Sequence, residues 1–254
     1  EPFGAKVLLS YDDFQNVPSE MYDISQLDED KFELLRRALH KYLVLVIPNQ
    51  KNLSPESQYR LTQRLDPTLE KSGSSENNLN YGHSKEFRHT KSVLKNDGQS
   101  VPSQPQVQIL GQGEFHDLYE GIPVLNLVHP THNITHKNVL SKEQLDADKT
   151  KFYRWHIDSA LYGLSPPVAT TLLGIHVPAH SRRQTVVYNH DNEDLTLESS
   201  QAATCFISGK NAFNLLSEED KELCKRTVVV YAPHPYIYIS KAKLTDDGLT
   251  VESE

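Results

Sequence analysis

The stretch VATTLLGIHVPAHSRRQTVVYN, Val168 to Asn189, sets two runs rich in β-branched and apolar residues on either side of a break carrying Pro178, His180 and two arginines. Short runs of that composition between breaker residues read as strands. The pattern continues downstream in EDLTLES, ATCFISG and TVVVYAPHPYIYIS, and upstream in PQVQILGQG. Many short strands with few intervening helices predict an α+β protein, mainly β, with a sandwich or jelly-roll core and the helices packed outside it.

Outward from that core, three helices are predicted. Residues 27–45 repeat apolar side chains at helical spacing through Phe32, Leu35 and Leu39, with acids at the start and bases later, which suits the helix dipole. LSPESQYRLTQRL offers Ser54 as a cap and Pro55 at the first helical position. SEEDKELCKR repeats the design with Ser217. Between the first two lies YLVLVIPNQ, which reads as a buried strand. Residues 66–105 turn polar and form a surface excursion or lid, with His83 and Lys85 as pocket candidates. At 254 residues the whole chain, 1–254, suits one domain.

The bulk numbers exclude several functions. A formal net charge of -8 opposes a broad grip on nucleic acid or anionic lipid, so a small molecule is the expected partner. No apolar run approaches the roughly 18 residues of a membrane span, and the first residues lack the basic and apolar regions of a signal peptide. Two cysteines, Cys205 and Cys224, support neither a disulfide framework nor a Cys-rich zinc site. The expected compartment is the cytoplasm, with homo-oligomerisation left open.

Candidate chemistry lies just before the opening stretch, in KFYRWHIDSALYGLSPP, Lys151 to Pro167. On a strand His156 and Asp158 share a face, so the imidazole and the carboxylate could meet on one ion, supplying two thirds of a two-His, one-carboxylate iron site. A polar pair in a core strand fits as well, since a chain with twelve histidines contains about one or two such pairs by chance. The competing metal candidate is His129, His132 and His136 in VHPTHNITHKNVLS. His132 and His136 have helical zinc-site spacing, but no Glu follows His132, and exposed or substrate-lining histidines are the simpler reading. No Gly-x-Ser-x-Gly elbow and no phosphate loop occurs.

Read together, FYRWHIDSALY, PPVATTLL, QTVVY, FISGKNAFNLLSEEDKE and YAPHPYIYISKAK resemble the iron(II)- and 2-oxoglutarate-dependent dioxygenases of the taurine dioxygenase (TauD/TfdA) family, and within it the fungal xanthine dioxygenase branch. VLVIPNQKNLSPESQYRLTQRLDP and PQVQILGQG extend the likeness over most of the chain. The resemblance implies Fe(II) held by His156 and Asp158 as metal ligands and catalytic centre, Thr185 against the carboxylate of 2-oxoglutarate, and molecular oxygen as the other co-substrate. It also implies a distal His and an Arg in a segment beyond Glu254. Within the chain His234 is the best substitute for the distal ligand.

Gln106, Gln108, Tyr153 and Tyr162 are the candidate substrate-lining residues, with xanthine the first candidate substrate and a specialised metabolite the second. PAHSRRQT and NHDNED depart from the pattern on either side of Thr185, where specificity loops sit. A non-catalytic jelly-roll subunit is the alternative from another class.

Overall fold

The computed structural model describes residues 3–8, 22–66, 99–129, 132–152, 155, 168–177, 183–188, 195–201, 203–230, 242–246 and 251–253. Helix α1, Glu29–Tyr42, starts where the Asp28 side chain accepts the Lys31 N–H and where Glu29 and Asp30 face the positive end of the helix dipole. It ends at Leu43, whose φ of 65° is left-handed and whose N–H donates to the Leu39 carbonyl. A β-branched residue could not take that conformation cheaply; leucine, unbranched at Cβ, tolerates it better. Helix α2, Pro55–Leu65, is capped by Ser54 with Pro55 in its first turn, as the sequence predicts.

Tyr22, Ile24, Leu27, Phe32, Leu35, Leu53, Leu61 and Leu65 form one buried apolar cluster against these helices. Arg64 closes it: its guanidinium lies 3.8 Å from the Phe32 ring centre, donates to the Ser25 and Leu27 carbonyls at 2.8 Å each, and meets Glu29 at 2.9 Å. The aromatic face and the two carbonyls replace the water that burial removes.

The strands are short and form five small sheets among the described residues. β1, Ala5–Lys6, runs parallel to β2, Leu45–Val46. β3, Gln99–Val101, and β4, Gln104–Ile109, form a hairpin, as do β5, Gly113–Tyr119, and β6, Ile122–Leu127. Gly121 takes φ +84° in the β5–β6 turn, a conformation that favours glycine. Two small helices follow, α3 (His132–Thr135) and α4 (Lys142–Asp146), the second opened by a capping box of Ser141 and Gln144. Next come β7 (Lys149–Thr150), β8 (Arg183–Val187) and β9 (Thr196–Ser200), joined in one sheet in that order. Helices α5 (Gly209–Leu215) and α6 (Glu218–Arg226), then the hairpin of β10 (Ala242–Leu244) and β11 (Val251–Ser253), complete the described chain.

The result is a mixed helix and sheet protein with no closed barrel among the described residues. Among the described residues several segments expected as strands are not strands, and residues 231–240 of TVVVYAPHPYIYIS lie outside the described residues. YLVLVIPNQ keeps two strand residues, because Leu43 is used to stop α1 and Val46 lies exposed at 59%. Residues 168–177 pair with no strand among the described residues. Instead Ala169 and Leu173 pack on the apolar cluster, and Thr171 holds α2 through its carbonyl to Gln58 and its hydroxyl to Thr62 at 3.0 Å. Residues 203–208 and 227–230 are likewise unpaired, with Phe206, Ile207 and Val228 to Val230 exposed. α5, a helix not predicted from the sequence, begins at Gly209, where the expected strand ATCFISG ends, and is capped by Ser208. Of the excursion at 66–105, Asp66 is the buried cap of α2, and 99–101 and 104–105 belong to the β3–β4 hairpin. His83 and Lys85 lie outside the described residues.

Candidate metal and co-substrate site

Strand β8 forms because its β-branched run Thr185, Val186 and Val187 suits a pleated, buried surface, and both valines are buried. It lies parallel to β7 with Lys149 opposite Thr185 and Thr150 opposite Val186. The Thr185 N–H donates to the Asp148 carbonyl at 2.9 Å. Thr185 therefore sits beside the strand whose chain continues through Lys151 and Phe152 into the His156 and Asp158 pair. His156, Asp158, Tyr153, Tyr162 and His234 themselves lie outside the described residues.

On its other edge β8 pairs antiparallel with β9, and Glu198 stands directly opposite Thr185. The Thr185 hydroxyl donates to Glu198 Oε1 at 2.6 Å, and Arg183 Nε lies 3.8 Å from Glu198 Oε2. Glu198 was not visible as a site residue in the sequence. Its strand alternation could be read, but the register that sets it against Thr185 could not.

Several aromatic rings gather around Phe152. Phe152 lies 5.1 Å from Tyr188, 5.6 Å from His136 edge-on, and 6.4 Å from Trp155, centre to centre. Aromatic pairs at these separations add stability beyond their buried area.

The histidine cluster proves to be internal. His132 and His136 are buried, and His129 is exposed. His132 Nε2 accepts the Leu140 N–H at 3.3 Å. His136 Nδ1 lies 3.0 Å from the Thr135 hydroxyl and 3.3 Å from the His132 carbonyl. A carbonyl only accepts, so Nδ1 carries the ring proton and Nε2 is a bare lone pair with no partner among the described residues.

Burial, then the charge of Lys151, pushes the His136 pKa down to about 4, and the same two causes lower that of His132. The two rings stay neutral at neutral pH. Exposed or substrate-lining histidines, the simpler expectation, are not what the fold builds from these two. Among the described residues no group of three His, Cys, Asp or Glu side chains is placed to hold a metal ion.

Lys151 completes this cluster. Its side chain is 1% exposed and its ammonium meets Asp246 at 2.6 Å, across 95 residues of sequence. The Asn138 amide donates to the second Asp246 oxygen, and the Lys137 N–H to the Leu244 carbonyl. Lysine is almost never fully buried unless paired, and here the partner is too distant along the chain to be suggested by the sequence.

Gln106 and Gln108 occupy β4, in a different sheet from Thr185. Residues 104, 106 and 108 share one strand face, and the Gln104 amide donates to Gln106. Gln106 is half-buried, whereas Gln108 is exposed opposite Ser100.

Residues 13–252 match the family described as taurine catabolism dioxygenase TauD, TfdA family. The chain belongs to this family. An alpha-ketoglutarate-dependent xanthine dioxygenase of Emericella nidulans is 44% identical over 232 residues, covering 91% of this chain and 59% of that protein. A xanthine dioxygenase of the same description from Neurospora crassa is 42% identical over 238 residues, with 91% and 54% covered. One from Schizosaccharomyces pombe is 38% identical over 237 residues, with 92% and 54% covered. This TauD/TfdA chain thus spans somewhat more than half the length of the curated relatives it matches. No solved structure matches it.

Proposed function

We propose that the chain is the larger part of an iron(II)- and 2-oxoglutarate-dependent dioxygenase that oxidises a small organic substrate, with a xanthine-type purine as the first candidate. The observation that carries this reading is identity of 38% to 44% to three fungal proteins described as xanthine dioxygenases, over nine tenths of this chain. The core is then a double-stranded β-helix, or jelly roll, with the helices flanking it. The working compartment is the cytoplasm; no helix among the described residues is long and apolar enough to cross a membrane.

The donor chemistry fits ferrous iron. One imidazole nitrogen from His156 and one carboxylate oxygen from Asp158 suit an intermediate cation that keeps open positions, with a distal His as third ligand. Iron with 2-oxoglutarate and oxygen supplies an oxidation that releases succinate and carbon dioxide. The chain's own tasks are binding, orientation and exclusion of water. Thr185 donates its hydroxyl proton to the co-substrate carboxylate. Gln106 and Gln108 offer paired donors and acceptors to a purine edge, and Tyr153 and Tyr162 supply ring faces. The ring contacts of Phe152 with Trp155 and Tyr188 stiffen the segment that presents the iron ligands.

The test uses the full-length, iron-loaded protein with a panel of purines and amino-acid-derived compounds. Succinate release stimulated by xanthine supports the reading, and turnover indifferent to every purine rejects the substrate class while leaving the oxygenase chemistry. Anaerobic iron titration of His156→Ala should show loss of binding; unchanged affinity rejects the ligand assignment.

A further inference from the structure

Thr185 and Glu198 face each other across the β8–β9 pair, so their side chains emerge from the same face of the sheet. The hydroxyl already donates to a carboxylate oxygen at 2.6 Å. A threonine hydroxyl has one proton, so it can serve one carboxylate at a time. Resting on the reading of Thr185 given above, we propose that Glu198 is a built-in occupant of the carboxylate position on Thr185, which 2-oxoglutarate must displace in order to bind.

The geometry makes that exchange inexpensive. Among the described residues Glu198 has, besides Thr185, only Arg183 as an ionic partner, at 3.8 Å, and the two side chains are 56% and 72% exposed. An ion pair so open to water contributes little, so the glutamate can swing outward without a large penalty. Arg183 lies two residues from Thr185 on the same strand and therefore on the same face. With Glu198 turned away, Arg183 and the Thr185 hydroxyl are left as a cation and a donor on one face, a set suited to an incoming carboxylate. A ligand that brings only a neutral acceptor gains less from the hydroxyl than Glu198 does and does not displace it. The resident carboxylate thus acts as a threshold against weakly binding ligands, and it lowers the affinity for the true co-substrate. A plain cross-strand pair that merely steadies the sheet would have no such effect on binding.

The experiment measures 2-oxoglutarate binding to the full-length protein by calorimetry, with manganese in place of iron so that no turnover occurs. Glu198→Ala and Glu198→Gln are compared with Thr185→Val, and melting temperatures establish that each variant is folded. Removing the competing carboxylate should tighten 2-oxoglutarate binding by about threefold to tenfold in Glu198→Ala and by less in Glu198→Gln, whose amide oxygen still accepts weakly. Thr185→Val should weaken it. If Thr185→Val weakens binding while both Glu198 variants leave it unchanged or weaker, the displaced-occupant idea is overturned and the role of Thr185 stands. If Thr185→Val has no effect, the role of Thr185 falls and the inference falls with it.

Discussion

The protein buries two regions by opposite means. Around Phe32 the interior is mainly apolar, with the Arg64 and Arg36 guanidinium groups over the ring and the Gln50 amide oxygen accepting the Ile24 N–H. Around His136 the interior is ionic and hydrogen-bonded: a neutral imidazole, a paired lysine and aspartate, and an asparagine amide. Both regions exclude water, but the second must hold every charge in a fixed relation to its partner. The apolar region tolerates a change of shape at a graded cost, whereas the polar one tolerates loss of a partner poorly. The polar region also lies next to the strand that leads to His156 and Asp158, so its rigidity bears on the site.

The comparison can be broken most sharply at Phe32. Phe32→Ala removes a fully buried ring from the apolar cluster and from under Arg64, and should cost about 4 kcal/mol in chemical denaturation. A loss below about 1 kcal/mol would mean that the cluster is not the centre of the N-terminal core.

At the polar region Asp246→Ala leaves Lys151 buried without its anion and should cost about 3 kcal/mol. The double variant Lys151→Met, Asp246→Leu should recover most of that loss, since no lone charge is then buried. Equal cost in the single and double variants would show that packing, and not charge pairing, holds this region.

A pH series sharpens the contrast further. The folded His136 pKa of about 4 lies below the 6.5 of an unperturbed histidine, so between those values the unfolded chain binds more protons. Stability is therefore complete above pH 6.5 and falls as pH drops toward 4, by about 2 kcal/mol between pH 7 and pH 5. His136→Phe should flatten that slope in an equilibrium unfolding series; an unaltered slope would assign it to another group. The smallest effect expected is that of Ser54→Ala, which removes the α2 cap and should cost about 1 kcal/mol without any pH dependence over the same range.

The same division explains what could be read in advance. Helices α1, α2 and α6 were legible to within a few residues because caps, dipole-matched charges and apolar spacing are local signals. The strands β8 and β9 were legible from alternation and β-branching. Residues 168–177 carry the same composition and are not a strand, since Thr171, Ala169 and Leu173 are spent on α2 and the apolar cluster. The family resemblance singled out Thr185 as a candidate, whereas nothing in the sequence singled out Lys151, Asp246 or Glu198. Their meaning lies in partners 95 and 13 residues away.

By itself the sequence determined the family, through several motifs along the chain, and the caps of α1, α2 and α6, because capping is encoded within a few neighbouring positions. Tertiary structure alone decided that two histidines are interior and neutral, that Lys151 is buried against Asp246, and that the Thr185 hydroxyl is bonded to the Glu198 carboxylate. The physical reason is that burial and charge pairing depend on the solvent each group loses and the partner it gains, and both are set by strand register and packing across the chain.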